Sequence, residues 1–127
     1  MAEAKRTERP LSPHLQVYRM QIPAISSILI RITGNGIVVA VMLAVWWLFA
    51  AAISDSYFAV ANAVVTSWFG KLVFTAALLG VWYHCLGGLR HLYYDAGHGL
   101  DIKTAERLGW ACVIGSVVLT ILTLIVI

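Results

Sequence analysis

Three stretches without a formal charge constrain this chain more than any other feature: residues 32–54, 72–89 and 108–127 contain no Asp, Glu, Lys or Arg. A helix crosses a bilayer core of about 30 Å with roughly 17 to 25 predominantly apolar residues, and in lipid it must pair its backbone polar groups internally. Each stretch has about that length. With 61% hydrophobic and 12% charged residues among 127, the composition excludes an ordinary soluble domain. The expectation is an all-α membrane protein with three transmembrane helices, at about 26–53, 66–94 and 107–127. These form an anchor over residues 25–127, preceded by an N-terminal segment over residues 1–24.

Charge placement supplies a topology. The formal charge of +3 does not point to nucleic acid, because the basic residues flank apolar runs and do not cluster on a soluble domain. Lys5, Arg6, Arg9, Arg19 and Arg31 lie at the start of the first span, Arg90, Lys103 and Arg107 lie around the second connection, and Lys71 alone sits near the first connection. The positive-inside rule then places the N-terminus and second connection in the cytoplasm. Residues 1–14 lack the apolar core of a cleavable signal. Residues 1–24 carry Pro10, Pro13 and Pro23, and also Leu11, Leu15, Val17, Tyr18 and Met20; the two readings are a solvated tail and a segment lying against the membrane or a partner. Cys85 and Cys112 fall inside spans, without metal-site spacing, and are expected as small core residues.

The stretch from Val81 to Asp95 carries the chemistry. His84, Gly87, Gly88 and His91 are spaced i, i+3, i+4 and i+7, so one helix face presents two imidazoles with a glycine recess between them. An intramembrane histidine is either hydrogen-bonded to a neighbouring helix or ligates a metal, and haem iron is the leading metal. His84 and His91 are about 10.5 Å apart along one face and cannot hold opposite sides of one ring. His14 and His98 belong to interfacial or loop segments, so a second axial ligand would come from another polypeptide. On the first span, expected to open near Ser26 or Ser27 after Pro23, Ser27 and Arg31 are spaced i, i+4. They either grip an oxygen-bearing ligand, or Arg31 reaches headgroups as a flanking cation. Gly34 and Gly36 permit close approach on the next turn, and Trp46, Trp47 and Phe49 fit an aromatic belt.

Three segments resemble the signatures of a known family: Arg9-Pro-Leu-Ser-Pro-His-Leu15, Ser27-Ile-Leu-Ile-Arg-Ile-Thr-Gly34, and His84-x-x-x-Gly-x-Arg-His-Leu-x-x-Asp95. They are similar to those of the cytochrome b556 subunits of succinate dehydrogenase, respiratory complex II, and the similarity spans nearly the whole chain. The resemblance implies a membrane anchor without catalytic residues of its own. With a second hydrophobic subunit it would bind one haem b, dock an iron–sulfur subunit and a flavoprotein subunit, and pass electrons from succinate to ubiquinone in the tricarboxylic acid cycle and respiratory chain. His84 would be the axial haem ligand and so the metal ligand, His91 would lie near the haem propionates, and Ser27 and Arg31 would line the quinone site. The expected location is a bacterial inner membrane, multi-pass, with a cytoplasmic N-terminus. Many relatives carry His immediately before the Arg of the second segment, where this chain has Ile30. A cytochrome b subunit of another oxidoreductase, or a small structural membrane protein without cofactor, are the competing readings.

Overall fold

The computed structural model describes residues 18–127, and expectations for residues 1–17, His14 among them, lie outside it. The described residues form four helices: α1 over Ile22–Ile53, α2 over Asp55–Thr66, α3 over Trp68–Asp95 and α4 over Ile102–Val126. α1, α3 and α4 are the three helices long and apolar enough to cross a membrane. At about 1.5 Å per residue they run roughly 48, 42 and 38 Å, longer than the hydrocarbon core, so each extends beyond it or tilts.

α1 opens a turn earlier than expected. Its first residue is Ile22, with Pro23 in the first turn. Proline is tolerated there because the first helical N–H groups have no intrahelical acceptor to lose. Ser26 is consequently inside the helix, and no side chain caps its start.

Where one short connection was expected, the chain forms α2 and folds back along the end of α1. Two single serines make the breaks. Ser54 caps α2 by accepting from the Tyr57 N–H at 3.3 Å, and Asp55 in the first turn suits the positive end of the helix. Ser67 caps α3 by accepting from the Gly70 N–H at 3.1 Å while its hydroxyl donates to the Val64 carbonyl at 2.6 Å. Gly70 is required at this corner, since a Cβ there would run into the carbonyl oxygens of Val64 and Val65. Trp46 and Trp47 tie α1 to α2: their indole N–H groups donate to the Tyr57 hydroxyl at 2.8 Å and the Asn62 amide oxygen at 3.3 Å, and Ala50 and Ala61 are fully buried at 0% exposure. Small residues let the two helices approach closely.

α3 ends in a Schellman motif. Gly97 N–H donates to the Tyr94 carbonyl at 2.8 Å and His98 N–H to the Tyr93 carbonyl at 3.2 Å. Gly97 holds the left-handed conformation this requires, at φ +79°. α4 begins at Ile102, five residues before the expected boundary, because Asp101 caps it by accepting from the Thr104 N–H at 2.9 Å.

α3 runs antiparallel to both α1 and α4. Gly80 takes Thr33 and Ile37 of α1 against it, Gly115 faces Leu86, and Gly109 faces Ile22. Trp82 Nε1 donates to the Thr123 hydroxyl at 3.0 Å, tying α3 to α4. Cys112 is buried in this packing as expected, but Cys85 is exposed, because it lies on the face of α3 turned away from α1 and α4.

The hydrogen bonds from Thr104, first from its backbone, hold the Asp101 carboxyl below its ordinary value of 3.8. A depressed folded-state pKa stabilises the cap above the unfolded value, and that contribution disappears as pH falls below about 4 through the folded pKa. Asp101→Ala is expected to raise amide hydrogen exchange over residues 102–105 at neutral pH, while Asp101→Asn retains most of the protection and removes its acid dependence.

Candidate functional site

The residues singled out on α1 lie on one stripe, since Ser27, Arg31 and Gly34 are spaced i, i+4 and i+7. Gly34 is where α3 meets that stripe. A Cβ built there would stand 3.3 Å from Cε1 and 3.7 Å from Nδ1 of His84. The missing side chain thus makes room for the imidazole, and His84 borders the same flank of the α1/α3 seam that carries Ser27 and Arg31. His84, His91 and Arg31 are exposed and Ser27 is half-buried. None of the hydrogen bonds between described side chains involves any of these four residues. The packing reading of His84, a histidine bonded to a neighbouring helix, therefore has no partner among the described residues.

The glycine recess is half what the spacing implied. Gly88 has nothing within 4 Å of a built Cβ and is open, but Gly87 is buried against Ile30, whose Cδ1 and Cγ1 lie 2.5 and 2.9 Å from that position. A one-residue step moves about 100° around a helix, enough to separate a free flank from a packed seam. Ile30, the residue that departs from the family pattern, fills the seam at Gly87 as a packing residue. His91 continues the open face and meets Tyr94 edge-on, with ring centroids 6.3 Å apart. His98 lies on the following loop against Tyr93, at 5.4 Å.

A residue the sequence did not mark as central lies on the opposite side of the seam. Arg90 is 5% exposed, enclosed where α1, α3 and α4 meet. Its Nη1 donates to the Ser26 hydroxyl at 2.7 Å, and the Ser26 and Tyr83 hydroxyls are themselves 2.7 Å apart. The Tyr83 hydroxyl also reaches the Ser26 carbonyl at 3.3 Å. The guanidinium stands over the Tyr94 ring, 5.7 Å from its centroid. Arg90 Nε and the Tyr94 hydroxyl have no partner among the described residues. The clue in the sequence was the i+7 spacing of Tyr83 and Arg90, which puts both on a face distinct from that of His84 and His91.

Could this flank hold a flat macrocycle with a metal at its centre? The His84 imidazole, without a hydrogen bond among the described residues, stands beside Gly34, and Gly88 one turn further on leaves the face open. Among the described residues no three His, Cys, Asp or Glu side chains converge. The donor set therefore fits a group that takes one nitrogen ligand from this chain, as a shared haem does.

Three helices long enough to span a membrane, with the exposed His84 imidazole beside Gly34 on an open flank, suit a membrane cytochrome subunit. The sequence model of the succinate dehydrogenase/fumarate reductase transmembrane subunit matches residues 5–123, and the chain belongs to that family. It is 53% identical to the succinate dehydrogenase cytochrome b556 subunit of Paracoccus denitrificans, over 99% of this chain and 97% of the relative. The Rickettsia conorii cytochrome b556 subunit is 39% identical, over 91% and 90% of the two chains. The mitochondrial cytochrome b560 subunit of Sus scrofa is 31% identical, over 81% and 62%.

Overpacking a close seam costs about 1 to 3 kcal/mol. Gly87→Ala is expected to destabilise the α1/α3 pair by about that amount, measured by thermal unfolding in detergent. Ile30→Ala in the same chain should recover most of the loss, because it removes the atoms that meet the new Cβ.

Proposed function

We propose that this chain is the haem b-binding membrane anchor of a succinate:ubiquinone oxidoreductase in a bacterial inner membrane. Its partners are a second hydrophobic anchor subunit, an iron–sulfur subunit and a flavoprotein subunit. The observation that carries the proposal is His84: an imidazole bordering Gly34, unbonded within the described chain, on the flank that also presents Ser27 and Arg31. The family and the printed names of the relatives supply the class of complex.

Bound there, a haem supplies a one-electron redox centre. His84 would be its axial ligand from this chain, and His91, seven residues on along the same face, would lie toward its propionate side. A second ligand to the haem would come from the other anchor subunit, since His91 shares the helix face of His84. Gly34 and Gly88 leave the approach to the imidazole clear of side chains.

Ser27 and Arg31 act on ubiquinone. A quinone gains electron density on its carbonyl oxygens as it is reduced, and a hydroxyl donor one turn from a fixed cation stabilises that density in a partly dry site. Arg31 contributes a planar fork of donors that lysine lacks. The alternative for Arg31, reaching headgroups, requires only charge and length. His84→Ala is expected to abolish or convert the low-spin bis-histidine spectrum of the assembled complex; an unchanged spectrum excludes the assignment. Arg31→Lys should lose most succinate:quinone reductase activity while retaining haem and reduction of dyes by the flavoprotein. Normal quinone turnover in both Arg31→Lys and Ser27→Ala would move the quinone site to the partner subunit.

The distribution of basic residues supports a cytoplasmic side for residues 1–24 and the α3/α4 connection. A maleimide that cannot cross the membrane is expected to label a cysteine at Asp55, and not one at Asp101, in spheroplasts. The reverse pattern inverts the orientation.

A further inference from the structure

α1 begins without a side-chain cap, yet its first three turns carry Ser27 and Arg31, whose direction decides what they can hold. Something other than a cap must fix the rotation of this helix end. The Ser26 hydroxyl accepts from Arg90 Nη1 at 2.7 Å, lies 2.7 Å from the Tyr83 hydroxyl, and is 2% exposed. All three residues are buried. Gly109 of α4 opens the space, since a Cβ there would press on Ile22 at 2.8 Å and stand 3.7 Å from Arg90 Nη1. Ser26 and Ser27 are neighbours pointing about 100° apart, so locking one into the seam aims the other along the stripe with Arg31. Rotation by a single residue would put Ser27 at the guanidinium and turn Arg31 off the flank of His84.

We propose that Arg90 is a positioning residue for quinone reduction: by donating to Ser26 from within the three-helix junction, it sets the rotation of the start of α1 and so aims Ser27 and Arg31 at the quinone. This inference rests on the assignment of those two residues to ubiquinone. Arg90 is buried on the far side of the seam from His84, so its part is to position α1 and not to meet the quinone itself.

The test uses the complete four-subunit complex in native membranes, with a short-chain ubiquinone analogue as acceptor. Ser26→Ala deletes one oxygen atom and should raise the quinone KM roughly ten-fold, the scale of one hydrogen bond to a charged group, with a smaller change in kcat. It should weaken a quinone-site inhibitor in parallel and leave the haem spectrum unchanged. Ser26→Thr restores the hydroxyl and should stay within about two-fold of the parent. Arg90→Met should raise KM in the same direction as Ser26→Ala but by no more, since Ser26→Ala also removes the Tyr83 contact, and the double variant should be no worse than Ser26→Ala alone. Ser26→Ala decides the matter alone if Arg90→Met does not assemble. An unchanged KM in Ser26→Ala, beside lost turnover in Arg31→Lys, overturns the positioning role and leaves the quinone assignment standing. Normal turnover in both Arg31→Lys and Ser27→Ala overturns the quinone assignment, and this inference with it. Loss of heat stability in Ser26→Ala with no shift in KM assigns the clasp to folding alone.

Discussion

Helices in lipid gain little from burying apolar surface against one another, since the hydrocarbon around them is equally apolar. Their mutual arrangement depends on close contacts at small residues and on a few polar contacts, and here the decisive polar contact is that of Arg90 with Ser26. It lies where α1, α3 and α4 converge; the Tyr83 hydroxyl meets the same Ser26 hydroxyl, and the guanidinium stands over the Tyr94 ring. A hydrogen bond to a charged group contributes about 1.5 to 3 kcal/mol, and removing its acceptor leaves a buried charge less satisfied. Apolar surfaces slide past one another at small cost; this contact exists in only one register.

That register divides the chain into a closed side and an open one. On the closed side Gly80, Gly87, Gly109 and Gly115 let α1 and α4 pack against α3. On the open side His84, Gly88 and His91 share a face of α3, and His84 meets α1 at Gly34. Glycine serves both sides for opposite reasons: at Gly87 the absent side chain is replaced by Ile30, and at Gly88 by nothing. Apolar residues stand exposed along all three long helices, among them Ile32 at 59%, Leu89 at 58% and Ile121 at 52%. Such faces suit lipid and neighbouring subunits, in keeping with an anchor that works inside a larger assembly.

The three long helices were legible because charge-free runs of membrane length have few other solutions, and the family was legible because three motifs fall in order. Other elements were hidden by local chemistry. α2 follows from serines at 54 and 67 acting as caps, but beyond Asp55 its stretch is as free of charge as a span. The start of α4 was obscured because Lys103, Glu106 and Arg107 resemble a polar loop, although Asp101 three residues before Thr104 is a cap signal. Pro23 drew the start of α1 too far along, since proline excludes the helix interior and not its first turn.

The sequence by itself determined the membrane as solvent, the number of long helices, and the placement of Ser27 with Arg31 and of His84 with His91 on common faces, because helical periodicity fixes which residues of one helix lie together. It could not say which face of one helix meets which face of the next. Tertiary structure alone decided that Gly87 belongs to the seam and Gly88 to the open flank, that Gly34 receives His84, and that Ser26 turns inward to Arg90 while Ser27 does not. The physical reason is that rotation of a helix about its axis is invisible to its own sequence pattern when all faces are apolar. Here steric fit at glycines and the buried hydrogen bonds of Ser26 choose the angle.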